Sequence, residues 1–472
     1  MMPEVSSNIR AEKDLLGSRE VPAGAYYGIQ TLRGLENFHI SGVPLSHYPE
    51  LIEALAMIKM AAARANRDCG QFSKEIANGI EAACAELIAG RLHDQFQLDI
   101  FQGGAGTSTN MNANEVIANR ALELMGKRKG EYDYCDPHDH VNGSQSTNDA
   151  YPSALHIALA LGNRKLIREL RSLTDSLRTK AKEFDHIVKM GRTQLQDAVP
   201  MTLGQEFAAF ARSLDDEIDA LQRVEAVLHE VNMGGTAIGT GLNAPTGFAE
   251  TCTAHLAAIT GMPIRLAQNL VEATQDTQAF VLYSSVLKSL SIKASKICND
   301  LRLLSSGPRA GLHEINLPPM QPGSSIMPGK VNPVIPEVVN QVCYRVIGSD
   351  LTVTLAAEAG QLQLNVMEPV IAACLLESQT LLYNATRTLR ERCIIGITAN
   401  EDVCRLYLER SIGTVTALNP VVGYEKTTEL AAEALRTGKG IVELVRERGL
   451  LTEQQLASIL DPANMIGARW RS

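Results

Sequence analysis

The sequence predicts an all-α protein: a central bundle of long helices with smaller N- and C-terminal domains. Three observations lead there. Five long runs place apolar residues three and four apart, the period of a helix face. Hydrophobic residues make up 45% of the chain but aromatics only 4%, so the core is aliphatic, and abundant Ala and Leu favour helix over sheet. No alternating strand pattern separates the five runs.

Taken in order, residues 1 to about 50 are mixed, with turn signals at Val21-Pro22-Ala23-Gly24 and Ser41-Gly42-Val43-Pro44. Helical periodicity covers Pro49–Ala65 and Phe72–Ala89. A glycine-rich segment, Gln102–Asn112, then leads into a helix expected at Asn114–Leu124. Residues 126–145 read as a solvated loop. Its Asp136-Pro137-His138-Asp139-His140 lacks a further ligand for a metal.

The first long run carries Leu155, Leu159, Leu166, Leu170, Leu173 and Leu177, and the second steps from Phe207 to Val231. The others span about Val271–Leu304, Val334–Ala357 and Pro369–Arg392. From Gly396 onward the helices become shorter and more charged. The expected domains are therefore 1–143, 144–397 and 398–472. A helix of about 30 residues is about 45 Å long, more than one small domain covers, so the long helices are expected to pack against other subunits.

The net charge of −9 is spread out, without a basic stripe, which argues against nucleic acid. Nine cysteines, none spaced C-x-x-C, fit reduced thiols in a reducing compartment. No uncharged apolar run reaches the roughly 18 residues of a membrane span, and the N-terminal stretch lacks the apolar run of a signal peptide. The reading is cytoplasmic.

The chemistry gathers where helices are interrupted. Gly323-Ser324-Ser325-Ile326-Met327-Pro328-Gly329-Lys330-Val331-Asn332-Pro333 has glycine and proline corners that forbid a regular helix. It offers two hydroxyls, an ammonium and an amide, a set that suits a small carboxylate-bearing anion. A phosphate loop is excluded, because five residues rather than four separate its glycines and Val331 follows the lysine. Three further polar segments have similar chemistry: around Thr107, at Ser146-Thr147-Asn148, and at Thr193-Gln194. A glycine-rich helix start such as Gln102–Asn112 can seat an anion, and capping alone does not call for the five short polar side chains of 144–149.

Together these segments strongly resemble the fumarase/aspartase superfamily, and Gly323–Pro333 matches its signature loop. The resemblance runs from Leu15-Leu16-Gly17 to the closing helix. Asp300–Arg309 and Asn365–Val370 are shared with fumarases, whereas Pro333–Asn340 is worded as in the aspartase branch. Gln194 stands where fumarases, and some aspartases, place a histidine paired with the acid corresponding to Glu337. Asp136–Asp139 also departs from the His-Pro-Asn-Asp of the fumarases' accessory dicarboxylate site.

The resemblance implies reversible anti-elimination of ammonia from L-aspartate to fumarate through an aci-carboxylate intermediate, with Ser324 as the base. It implies that Lys330, Asn332 and Thr193 hold the α-carboxylate. Thr107, Ser146, Thr147 and Ser325 would surround the β-carboxylate, while Asn148 and Gln194 face the amino group. It further implies a homotetramer whose sites each draw on three subunits, with no organic cofactor or catalytic metal, although some relatives are activated by a divalent cation such as Mg2+. The alternatives are a class II fumarase exchanging L-malate and fumarate, and a catalytically dead helical scaffold.

Overall fold

The computed structural model describes residues 9–411, 413, 415–459, 461 and 464. The chain opens with an antiparallel hairpin, β1 (Ile9–Asp14) and β2 (Gly17–Pro22), followed by α1 (Ile29–Asn37), α2 (Pro49–Asp68), α3 (Lys74–Ile88) and α4 (Thr107–Leu124). Next come α5 (Thr147–Glu183), the hairpin β3 (Val188–Thr193) and β4 (Gln196–Thr202), and α6 (Leu203–Glu225). Two-residue β5 (Glu230–Val231) and β6 (Arg265–Leu266), which pair in parallel, flank α7 (Phe248–Thr260). Then follow α8 (Leu270–Gln275), α9 (Gln278–Leu304), β7 (Ile315–Asn316), α10 (Val334–Glu358), α11 (Glu368–Arg392) and β8 (Thr398–Ala399), which pairs with β7. The chain closes with α12 (Glu401–Arg410), α13 (Val415–Val422), α14 (Tyr424–Thr437), α15 (Ile441–Glu447) and α16 (Glu453–Ile459).

The fold class is all-α, as expected. The small sheets were not expected, because their strands are short and their exposed residues do not alternate cleanly. Three other differences have plain causes. α4 starts at Thr107 rather than Asn114, since Gly106 adopts the left-handed conformation (φ 85°) and turns the chain into the helix there. The run from Val271 breaks at Asp276, whose side chain accepts from the Gln278 amide and starts α9. Within 126–145, Pro137–Val141 forms one π-helical turn capped by Asp136, with Pro137 and Val141 buried.

The chain packs as two compact units: Met1–Ile167, Ala220–Ser289 and Arg345–Leu381 in the first; Arg168–Asp219, Leu290–Tyr344 and Leu382–Ser472 in the second. In the first, α2 is the centre. Its small and aliphatic residues, including Leu51, Leu55, Ala62 and Ala65, are fully buried where it packs on α3 and α7. Three of the long helices are joined there by buried hydrogen bonds, with Gln379 of α11 donating to Leu159 O of α5 and to the Tyr283 hydroxyl of α9.

In the second unit, leucines of α5 (Leu170, Leu173, Leu177) meet Leu214, Leu290, Ile297, Val339 and Leu389 around a small apolar cavity. Truncating any one of these to alanine is expected to cost about 2–5 kcal/mol. A second cluster, built on Leu418, Leu430, Ile441 and Val445, holds the C-terminal helices. No helix among the described residues is long and apolar enough to cross a membrane. All nine cysteines are free and all but Cys69 are buried.

Candidate active site

The first unit brings four of the predicted residues together at the starts of α4 and α5. Gly106 lies against the Tyr151 ring so closely that a Cβ there would come within 2.6 Å of it, and this puts the two helix starts side by side. Thr107 opens α4, exposed, with its hydroxyl donating to Gly104 O at 2.7 Å. Ser146 caps α5: its Oγ accepts from the Asn148 amide (3.2 Å), while Asp149 reaches back to the Ser146 amide (2.9 Å). This reciprocal pairing is a capping box, and it leaves the positive end of the helix dipole at the polar segment.

Asp149 does more than cap. Fully buried, it accepts from the amides of Gly234 (3.1 Å) and Thr236 (2.9 Å), tying the start of α5 to the glycine-rich turn after β5. Burial pushes its carboxyl up to about 6, against the pull of these donors and of Lys59. Asn148 is held from both ends by the same region, because its Nδ2 donates to Ala237 O (2.7 Å) and its carbonyl accepts from Asn232 (3.0 Å).

Behind Thr147 lies a buried network. Lys59 of α2 donates to Asn110 Oδ1 (2.7 Å), Asn142 Oδ1 (3.0 Å) and Gln145 Oε1 (3.0 Å). Asn110 passes its own amide protons to Asn142 Oδ1 (3.0 Å) and Thr147 Oγ1 (3.2 Å). Burial pulls Lys59 down to about 7, and the Asp149 charge opposes it. A third buried group, Glu115 of α4, accepts from the amides of Gly28, Gln30 and Thr31 and from the Thr31 hydroxyl, which fixes α1 to α4.

The second unit holds the remaining predicted residues. Thr193 and Gln194 lie at the tip of the β3–β4 hairpin, exposed. Gln194 (φ 53°) and Leu195 (φ 62°) are both left-handed, as a two-residue primed turn requires, although neither is glycine. The root of the hairpin is anchored by Glu314, which is fully buried between Lys189 (2.8 Å) and Arg192 (2.8 Å). Burial pulls Lys189 down, but Glu206 and Glu314 more than offset it and hold its pKa raised.

The signature segment is a closed, exposed loop. The Gly323 amide donates to Lys330 O (2.7 Å) and Asn332 Nδ2 donates to Gly323 O (3.1 Å), an approach that only glycine allows at 323. Ser324 Oγ accepts from the Ile326 amide at 3.2 Å. Ser325 and Lys330 are exposed, and their side chains bond to no described residue. Among the described residues no hydrogen bond joins this loop to the Thr193–Gln194 turn, nor is there a His/Cys/Asp/Glu group arranged for a metal.

The family described as "Lyase" matches residues 17–348, and "Fumarase C C-terminus" matches 415–467. The chain is 61% identical to an aspartate ammonia-lyase of Pseudomonas aeruginosa over 99% of both chains. Against the Escherichia coli K12 enzyme of the same name the identity is 55%, covering 99% of this chain and 98% of that one. A Brucella melitensis structure described as fumarate lyase:delta crystallin bound to cobalt superposes with a TM-score of 0.93 at 54% identity, covering 97% and 99%. This chain belongs to the fumarase/aspartase superfamily. A class II fumarase of Schistosoma mansoni also superposes, with a TM-score of 0.89 but at 36% identity over 97% and 99%. Within the superfamily the chain is therefore nearer in sequence to the ammonia-lyases than to that fumarase.

Reasoning from sequence missed Lys59, Asn110, Asn142 and Asp149, which are hydrogen-bonded to one another or to the segment Ser146–Asn148, and Glu115, which fixes α1 to α4. The dense polar run 144–149 was the signal for Asp149. Lys59 had none, since one lysine in an aliphatic helix reads as a solvated face.

Proposed function

We infer that this protein is an aspartate ammonia-lyase, converting L-aspartate reversibly to fumarate and ammonium. The observation that carries this is the 55–61% identity to aspartate ammonia-lyases over nearly the full length of each chain.

The reaction removes a proton from the carbon next to the β-carboxylate, and the electron pair moves into that carboxylate as a doubly charged aci-carboxylate. Collapse of this intermediate forms the double bond and expels ammonia from the neighbouring carbon. Ser324 is our candidate base. A serine hydroxyl is a poor base unless its alkoxide is stabilised, and the Ile326 amide already donates to its oxygen. Thr107, Ser146, Thr147 and Ser325 would receive the β-carboxylate, where donors near two helix starts suit the developing charge. Lys330, Asn332 and Thr193 would hold the α-carboxylate, with Asn148 and Gln194 at the amino group.

Assembly into a homotetramer, with each site drawn from three subunits, is part of this proposal. It is supported by the exposed apolar stripe Tyr344, Leu351 and Leu355 on α10, spaced to form one helix face. In this reading the segments 1–143, 144–397 and 398–472 are the domains of each protomer, and the enzyme is cytoplasmic. The steps balance without an organic cofactor or catalytic metal. Activation by a divalent cation such as Mg2+ is a matter for assays with and without chelator.

The deciding test is to follow fumarate by ultraviolet absorbance after adding L-aspartate, with ammonia measured separately. Release of both in equal amounts is expected. Exchange of L-malate with fumarate, with no ammonia from aspartate, would replace this reading with the fumarase.

A further inference from the structure

We propose that Lys59 is a positioning residue of the active site, setting through Asn110 the direction in which the Thr147 hydroxyl donates. This rests on the reading that Thr147 receives the substrate β-carboxylate. Lys59 sits in α2 among fully buried Ala54, Leu55, Ile58 and Ala62, and its own side chain is 0% exposed. Lysine is rarely found so deep without a charged partner, yet among the described residues no carboxylate lies within ion-pair distance of it. Its partners are instead three amide oxygens, at 2.7, 3.0 and 3.0 Å.

Three acceptors match the three N–H donors of an ammonium. They also remove an ambiguity. With its Oδ1 held by Lys59, Asn110 must turn its NH2 toward Asn142 Oδ1 and Thr147 Oγ1. A hydroxyl that already accepts from Asn110 has its own proton left to donate. That proton points away from the network, toward whatever anion occupies the helix starts. The start of α5 adds positive potential where the aci-carboxylate becomes doubly charged.

The experiment compares wild type, Lys59→Met and Asn110→Asp. The first removes the amine's donors with little change in volume. The second keeps an acceptor for Lys59 but takes away the donor to Thr147. Circular dichroism and sizing establish that each variant folds and assembles as wild type does. Two ligands then separate positioning from general damage: succinate, a ground-state dicarboxylate, and 3-nitropropionate, whose nitronate form carries charge as the intermediate does.

In both variants kcat for L-aspartate should fall about 10- to 100-fold, with less change in KM. Affinity for the nitronate should fall in proportion to kcat, while that for succinate stays within about 3-fold. Should Lys59→Met fail to assemble, Asn110→Asp decides alone. A folded variant that keeps wild-type kcat and nitronate affinity overturns the proposal. So does one that loses succinate and nitronate equally, since that is plain structural damage. A wild-type enzyme that releases no fumarate would sink the substrate reading and this proposal with it, whereas an active wild type with unaffected variants sinks this proposal alone.

Discussion

The helix-start segment Ser146–Asn148 and the loop Gly323–Pro333 carry similar residues but are built in opposite ways. The first is wired from behind. Two buried ionisable side chains, Lys59 and Asp149, flank it, and hydrogen bonds fix Thr147 and Asn148 in advance of any ligand. The second is closed at its neck by Gly323, Lys330 and Asn332 and otherwise holds only local bonds within itself, and Ile326 at its tip is 84% exposed. Pre-organised donors pay no reorganisation cost when charge develops, which suits the role proposed for Thr147 toward the intermediate. A loop with few bonds can instead move as a substrate binds, which suits the role of base proposed for Ser324.

Changing Ser324 should therefore break the chemistry and leave the fold alone. Ser324→Ala is expected to lower kcat by about 1,000-fold or more while the thermal midpoint stays put, because its hydroxyl has a single loop partner. An inactive but unfolded or disassembled variant would mean the serine was structural. Asp149→Ala should do the reverse and damage the fold first. It leaves two buried N–H groups, of Gly234 and Thr236, and the half-buried one of Ser146 without this acceptor, at a cost of about 2 kcal/mol or more, readable in denaturant titration. If Asp149→Ala were as stable as Ser324→Ala, the contrast between wired and unwired halves would be wrong.

The loop was legible in the sequence because its glycines, prolines and hydroxyls are local signals, and α10 and α11 were legible because their periodicity is unbroken. The wiring was not. In α4 the buried positions include Asn110, Asn112, Asn114 and Glu115, so its period is written in polar residues and the helix was expected seven positions late. The β3–β4 hairpin was missed because its root is held by Lys189 and Arg192 pairing with Glu314, and not by an alternation of apolar side chains. Buried polar groups invert the rule that pattern reading depends on.

The same inversion gives a pH test. Glu368 at the start of α11 is 3% exposed, no described residue bonds to its carboxyl, and burial raises its pKa well above the ordinary 4.5. The folded state then holds its proton more tightly than the unfolded chain does. Its contribution to stability is full below about 4.5 and declines as pH rises through the folded value. Glu368→Gln keeps the shape and removes the titration. Its stability advantage over wild type should therefore grow from pH 5 to pH 8 in thermal melts. An advantage that shrinks with pH would mean a cation compensates the carboxylate.

The smallest effect is expected at the hairpin tip, where the comparison can be sharpened within two adjacent residues. Gln194 and Leu195 share a left-handed backbone that costs a non-glycine residue roughly 1–2 kcal/mol. Leu195 is 69% exposed, so little packing holds it there. Leu195→Gly relieves that strain but adds freedom to the unfolded chain, and the net change should be a gain of about 1 kcal/mol or less with turnover intact. Gln194→Gly relieves the same strain, yet it also deletes the amide proposed to face the amino group. Its stability should match that of Leu195→Gly while KM for L-aspartate rises about 10-fold. Equal KM values in the two variants would show that the turn is only a turn, and that the amino group is held by Asn148 without help from Gln194.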